Sequence, residues 1–288
     1  MKAYQSISLL LSALTASAAA VETETYTIHG SGTTNPSKCF WHIMSLFEER
    51  SHASTRLTYR AVGSSTGQLE FIGADQGFKP YNTFGAGDIP VKESDYIALQ
   101  DSKPFANGDP SPMLHLPFAI SSVSLFVNIP GVPDGKDGLK LNACTLARIF
   151  NRQIKYWDHE DILNLNAHLK DQLTAGKRSL EIFVGRRVNG SSSTSSVTKY
   201  MNMKCPSEWA AEKIGSKLSA EMWGSETNEC YGSSGMTKCI KGNSGSIGYL
   251  DSGHGWSEDL AEVNLENAEG VFITSKNSHK KNGIAAAV

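Results

Sequence analysis

Apolar and polar residues alternate along this chain in short bursts whose period switches between that of a strand and that of a helix. Tyr26-Thr27-Ile28-His29 alternates with a period of two and predicts a strand, and Gly30-Ser31-Gly32-Thr33-Thr34-Asn35-Pro36 then turns sharply. From Ser37 the apolar set Phe40, Ile43, Met44 and Phe47 falls at helical spacing, with Thr34 or Asn35 as cap and Pro36 in the first turn. The same construction returns: Leu57 to Val62 reads as a strand, Gly63-Ser64-Ser65-Thr66-Gly67 as a turn, and Gln68 to Ile72 as the start of a helix. Thr83 to Pro90 reads as a further strand ending in an acidic turn at Asp88.

Further on, Asp101 to Pro112 is loop-like, and Leu116 to Asn128 is a long apolar strand closed by Ile129-Pro130-Gly131. Leu146, Ile149 and Phe150 mark one helix and Trp157 to Leu165 a second. Leu180 to Val184 is a strand leading into Phe183 to Thr198, FVGRRVNGSSSTSSVT, whose serines stand where a helix begins. Gly245 to Leu250 reads as a small-residue strand, Trp256 to Ala261 as a helix and Val271 to Thr274 as a last apolar segment. Strand, Ser/Gly turn and helix in repetition predict an α/β architecture with parallel strands, whose ligands sit at the strands' carboxyl ends.

Composition narrows the class. With 288 residues, 40% hydrophobic and 19% charged, the chain is globular and long enough for two modest domains. A formal charge of -2, with no basic run beyond SKNSHKKN near the C-terminus, leaves no nucleic-acid footprint. Any bound anion is therefore held by local donors.

The first twenty residues read as a secretory signal peptide: Lys2, an apolar core from Ile7 to Leu14, and small residues from Ala16 to Ala20. That core is shorter than the roughly 20 residues a membrane span needs, and no other segment approaches this length. The mature chain is expected to begin near Val21, exported and without a transmembrane segment. Export makes disulfides possible among Cys39, Cys144, Cys205, Cys230 and Cys239, with at least one bridge expected among the last three. No CxxC or HxxxH spacing suggests a metal, and no cofactor is expected.

Four pieces of chemistry are candidates to converge. Three are donor-rich turns that open helices: Thr33/Thr34/Asn35, Ser64/Ser65, and Arg187 with Ser191, Ser192 and Ser193. Free N–H groups and partial positive charge at a helix N-terminus suit an oxyanion, and Arg187 adds a charged fork. The fourth piece is Asp88, a carboxylate that accepts a proton from hydrogen phosphate and has nothing to accept from sulfate. Plain alternatives stand beside each: a Gly/Ser surface linker, a surface ion pair for Arg187, and a turn residue for Asp88. A different class of function is a serine ester hydrolase, with Ser65 at the centre of G-x-S-x-G and His254 or His279 as base.

In colinear order, GSGTTNP, YRAVGSSTGQ, FGAGDIPV, LPFAISSVSLFVNIPGV, LNACTLARIFNRQIKYWDHEDILNLN, RRVNGSSST and GSIGYLDSGHG resemble blocks of the phosphate-binding proteins that serve ABC transporters. The likeness runs from about Tyr26 to about Thr274. It implies a two-lobed periplasmic-binding-protein fold of type II, mostly parallel sheets flanked by helices, closing on one phosphate without chemistry. Residues 21–110 plus 257–288 would form lobe one and 111–256 lobe two, with Leu116 to Asn128 and Gly245 to Leu250 as the crossings.

Carried over position by position, the resemblance implies Thr34, Asn35, Ser64, Asp88, Arg187, Ser191, Ser192 and Ser193 as phosphate ligands. Inorganic phosphate is then the ligand, a membrane transporter a candidate partner, and a periplasmic or secreted monomer the expected form. Three positions depart from the pattern: Asn35 stands for an aromatic, Ser192 for a glycine and Asn189 for an acid. Asn189-Gly190-Ser191 is also an N-x-[ST] sequon. The family continues well beyond the Val271 to Thr274 segment, so the C-terminal part of lobe one is expected to be short.

Overall fold

The structure, a computed structural model, describes residues 24–72, 82–102, 113–176, 178–224 and 226–278. The expected signal peptide, most of the Asp101 to Pro112 loop and His279 lie outside the described residues.

The first body is built from β1 (Tyr26–Gly32), α1 (Ser37–Arg50), β2 (Thr55–Ala61), α2 (Ser64–Ile72), β3 (Phe84–Ala86) and α3 (Glu93–Ser102). Its sheet has the order β2-β1-β3, with both pairings parallel. Parallel neighbours need helical crossovers, which α1 and α2 supply. Two glycines let these pieces close up. Gly32, at φ +150, pairs with Ala86, and a Cβ there would lie 1.9 Å from the Ala86 carbonyl oxygen. A Cβ on Gly67 would lie 2.3 Å from Gly32 Cα, so α2 starts hard against the end of β1.

The second body holds the remaining elements: β4 (Val123–Asn128), β5 (Lys140–Leu141), α4 (Ala143–Phe150), α5 (Glu160–Leu165), α6 (Lys170–Leu173), β6 (Phe183–Arg187) and α7 (Ser192–Lys204). It continues through α8 (Ala220–Trp223), β7 (Asn228–Cys230), α9 (Gly232–Gly242), β8 (Ser246–Asp251) and α10 (Ser252–Ser257). The chain then runs through β9 (Ala261–Glu262), β10 (Asn264–Glu266), β11 (Phe272–Ile273) and α11 (Ser275–Ser278).

The main sheet here runs β7-β6-β8-β4-β9, parallel on the β7-β6-β8 side and antiparallel around β4. Most strand pairings among the described residues are thus parallel, as expected, with antiparallel ones around β4 and between β10 and β11. Leu125, Phe126, Trp157, Trp209, Trp223 and Tyr249 are all buried in one core, and Trp223 stacks on Tyr249 at 5.9 Å. Truncating a tryptophan of this kind costs about 3–5 kcal/mol, so this core dominates the fold's stability.

Several boundaries differ from the sequence expectation. The crossing strand begins at Val123 rather than Leu116, and Leu116, Phe118 and Ile120 are exposed in an irregular segment. The two expected crossings do lie side by side, β4 pairing with β8 from Val123↔Asp251 to Asn128↔Ser246. Only Glu160–Leu165 of the stretch starting at Trp157 is helical. The expected helix from Trp256 is instead the end of α10 followed by β9.

The tail from about Ser257, expected in lobe one, packs on the second body: β9 pairs with β4, and β10 with β5. Glu262 fixes this arrangement. Its buried carboxylate accepts from Ser124 Oγ at 2.6 Å, Ser275 N at 2.8 Å and Trp256 Nε1 at 3.1 Å. α1 has the expected helical spacing, yet Ile43 and Phe47 are 50% and 51% exposed.

Two disulfides cross-link the second body, Cys144–Cys205 and Cys230–Cys239, and Cys39 is free and exposed. The second of these is the bridge expected within the Cys205, Cys230 and Cys239 group.

Candidate functional site

β6 carries Arg186 and Arg187 on opposite faces, because successive strand residues alternate. The apolar count ended this strand early at Val184, yet both arginines continue it, in register with Glu229 and Cys230 of β7. Arg186 pairs with Glu229 at 2.8 Å and donates to Thr227 Oγ1 at 3.1 Å. Arg187 has no acidic partner among the described residues and is 2% exposed. Its backbone N–H donates to the Tyr249 hydroxyl at 3.1 Å, tying it to the core. Among the described residues its Nη2 reaches only Thr34 Oγ1, at 3.4 Å, while Nε and Nη1 have no partner. Burial pulls its pKa below the ordinary arginine value.

Around this guanidinium the donor-rich turns converge. Ser191 caps α7, its hydroxyl accepting from Ser193 N at 3.2 Å, and its own N–H donates to Ser216 O at 2.8 Å. Ser193 is fully buried and its hydroxyl has no partner among the described residues. From the first body, Thr34 Oγ1 lies 2.7 Å from Ser233 Oγ, and Ser64 Oγ donates to Ser192 Oγ at 3.2 Å. Gly190 makes the closest approach: a Cβ there would lie 2.2 Å from Ser65 Oγ and 2.5 Å from Ser65 Cβ.

Asp88, after β3, is an exposed residue. Its Oδ2 accepts from Thr33 Oγ1 at 2.7 Å, Asn35 Nδ2 at 3.2 Å and the Ser192 hydroxyl, with Ser64 Oγ, whose one proton is shared with Ser192, at 3.4 Å. The expected lone acceptor is therefore crowded with donors. Tyr59 supports the first turn from beneath, its hydroxyl donating to Thr33 O at 2.7 Å. Burial, with the Asp88 charge nearby, pushes that phenol well above its usual range.

All eight expected residues thus belong to one cluster, with Ser191 engaged in capping. Ser216 and Ser233 were not anticipated as partners. Ser233 had a legible signal, since Gly232-Ser233-Ser234-Gly235 opens α9 in the same way as the other three turns. No hydrogen bond joins Ser65 to His254 among the described residues, and His279, the other base of the hydrolase expectation, lies outside them. Ser65 Oγ lies 3.2 Å from Ser216 Oγ, and the His254 backbone N–H is held by Asp251 at the start of α10. No group of three His, Cys, Asp or Glu side chains able to hold a metal occurs among the described residues.

A charged fork without a counter-charge, walled by hydroxyls at the starts of several helices, is a site for an oxyanion. Comparison with known proteins agrees with this geometry: the family model for a PBP superfamily domain matches residues 16–287. The chain belongs to the PBP superfamily. Among its relatives, the phosphate-binding protein PstS of Methanocaldococcus jannaschii is 28% identical over 83% of this chain and 57% of its own length. PstS of Haemophilus influenzae is 27% identical over 87% of this chain and 65% of its own length. This PBP-superfamily chain therefore spans less than two thirds of those relatives.

Among solved structures, a putative phosphate ABC transporter substrate-binding protein from Clostridium perfringens, with bound phosphate, superposes with a TM-score of 0.60. Identity there is 16%, over 90% of this chain and 82% of the other. A phosphate-binding protein from Stenotrophomonas maltophilia gives a TM-score of 0.59 at 16% identity, covering 88% and 67%. These neighbours establish the two-lobed α/β fold of the superfamily for this chain.

Proposed function

We propose that this PBP-superfamily chain is an exported binding protein for inorganic phosphate, which it holds between its two bodies without altering it. The observation that carries the reading is the Arg187 guanidinium, buried with Nε and Nη1 unpaired. Leaving a buried charged donor unpaired is costly, so the native ligand is expected to fill that position. Ser193, also buried and without a partner among the described residues, offers a neutral donor from the first turn of α7.

Thr34, Asn35, Ser64, Ser191 and Ser192 line the same cluster and bring with them the first turns of α2 and α7. Asp88 holds Thr33, Asn35, Ser64 and Ser192 in place. That relatives are named as phosphate-binding proteins supports phosphate as the anion. Delivery to a membrane transporter, and a location outside the cytoplasm, are part of the same reading. No helix among the described residues is long and apolar enough to cross a membrane.

Calorimetry of the mature protein with phosphate tests it. One phosphate per chain should bind, and phosphate at a hundred times its Kd should add about 2.7 kcal/mol to stability. Absence of both heat and stabilisation would sink the reading.

A further inference from the structure

We propose that Ser233, at the start of α9, is a positioning residue for the anion. It donates its proton to Thr34 Oγ1, so that the single hydroxyl proton of Thr34 is turned to the ligand on Arg187. The inference rests on the phosphate reading above and adds to that site a residue outside the eight that the resemblance implies.

Thr34 is buried, and the hydrogen bonds of its side chain are few enough to follow one by one. Its hydroxyl has one proton and two lone pairs. Arg187 Nη2 stands 3.4 Å from that oxygen and can only donate, so it takes one lone pair. Ser233 Oγ, 2.7 Å away, is the other contact of Thr34 Oγ1 among the described residues. Two hydroxyls linked in this way hold two protons, one spent on the link and one left over. Ser233 has no hydrogen bond to Arg187 among the described residues, whereas Thr34 does, so an anion on the guanidinium meets Thr34 first. The arrangement that serves both contacts is Ser233 donating to Thr34, and Thr34 donating to the anion. An oxygen that already accepts two hydrogen bonds is also a stronger donor of its own proton.

The fold holds Ser233 in place for this role. Cys230 of β7 pairs in register with Arg187 of β6, so the turn that carries Ser233 leaves the sheet beside Arg187. The Cys230–Cys239 disulfide and the Gly235 N–H, which donates to Tyr231 O at 2.9 Å, pin that turn. Ser233 is 2% exposed, and its carbonyl accepts from Thr237 Oγ1 at 3.1 Å. Gly232 flanks Thr34 on another side, where an added Cβ would sit 3.6 Å from Thr34 Cγ2 at ordinary contact distance. The methyl of Thr34 thus meets Gly232 and its hydroxyl meets Ser233, which selects one rotamer. Its backbone is fixed as well, the Thr34 carbonyl accepting from Ser37 Oγ at 2.9 Å. Thr34 belongs to the first body and α9 to the second, so the proton is aimed only where the two bodies meet.

Phosphate calorimetry on the full mature chain tests this with a double-mutant cycle. Ser233→Ala should weaken phosphate binding about tenfold. Thr34→Val should weaken it by about tenfold or more, since the hydroxyl itself is lost. In the Thr34→Val background there is no proton to aim, so adding Ser233→Ala should change the affinity by less than about threefold. Ser234→Ala, at the exposed neighbour in the same turn of α9, should leave the affinity within about twofold of wild type.

Wild-type affinity in Ser233→Ala would overturn the proposal. Losses that multiply in the double variant would overturn it too, because Ser233 would then act on the site or the fold without passing through Thr34. If Ser233→Ala does not fold, as read by its melting transition, Ser233→Gly takes its place in the cycle with the same expectations. If phosphate does not bind the wild-type chain, the phosphate reading fails and this inference with it. Phosphate binding that Ser233→Ala leaves untouched sinks this inference alone.

Discussion

Arg186 and Arg187 are consecutive in β6, yet only Arg186 meets an acid, its Nη2 lying 2.8 Å from Glu229 Oε1. Glu229 is half-exposed, so this ion pair is worth at most about 1 kcal/mol. Arg187 faces inward without a partner for Nε or Nη1. The two substitutions should therefore separate cleanly. Arg187→Ala is expected to weaken phosphate binding by about 2–5 kcal/mol, because a desolvated anion loses its charged partner. Arg186→Ala should leave phosphate affinity nearly unchanged. Calorimetry on both variants checks this, and equal losses in the two would remove Arg187 from its central role.

Ser193 gives a second contrast, between binding and stability. Its buried hydroxyl has no partner among the described residues. Ser193→Ala should thus leave the unliganded protein as stable as wild type or up to about 1–3 kcal/mol more stable, because an unsatisfied buried group disappears. Phosphate affinity should fall by about 1.5–3 kcal/mol, the worth of a hydrogen bond to a charged group. Urea unfolding with and without phosphate reads both quantities. A variant that loses stability without ligand and keeps its affinity contradicts the assignment.

Closure of the cleft depends on the missing side chain at Gly190. A Cβ there would collide with Ser65 at 2.2 and 2.5 Å. Gly190→Ala should cost phosphate binding about 1–3 kcal/mol through overpacking where the two bodies meet. Ser65→Gly removes the atoms struck, so the double variant should recover most of the lost affinity. Ser65→Ala alone should change affinity little, and a double variant no better than Gly190→Ala would show that the collision lies elsewhere.

His254 should give the fold a sensitivity to acid. It is buried, and burial first, then the Lys38 charge, holds its pKa below the usual histidine value. A depressed histidine contributes stability above its unfolded pKa of about 6.5 and loses it as pH falls towards the folded value. Melting temperature should therefore drop between pH 7.5 and 5.5, above the usual carboxylate range. His254→Gln should flatten that slope, and an unchanged slope in the variant would assign the acid sensitivity to another group.

Much of the site was legible because helix starts and glycine turns leave local marks. GSGTTNP, VGSSTGQ and RRVNGSSST each announce a strand, a turn and a helix N-terminus, and the structure brings all three together. Hidden were features that depend on pairing across the chain. Gly185-Arg186-Arg187 looks polar and strand-ending, yet it continues β6 because Arg186 meets Glu229 and Arg187 points into the site. The tail's attachment to the second body rests on Glu262, an acid whose burial no local pattern reveals. The crowding of Asp88 likewise arises from residues 24 to 104 positions away.

The contacts that join the two bodies at the cleft include Thr34 with Ser233, Ser64 with Ser192 and Ser65 with Ser216. A hydroxyl both donates and accepts, so water can take the place of either member when such a pair parts. The same seam also carries Ser192 to Asp88, Arg187 to Thr34 and the surface ion pair of Lys38 with Glu258, and water and dissolved salt take up these charged members when it parts. The chain thus has a joint that parts and re-forms at little cost in free energy. Under the proposed function, what holds it shut comes chiefly from the anion itself, between Arg187 on one side and the first body's turns on the other.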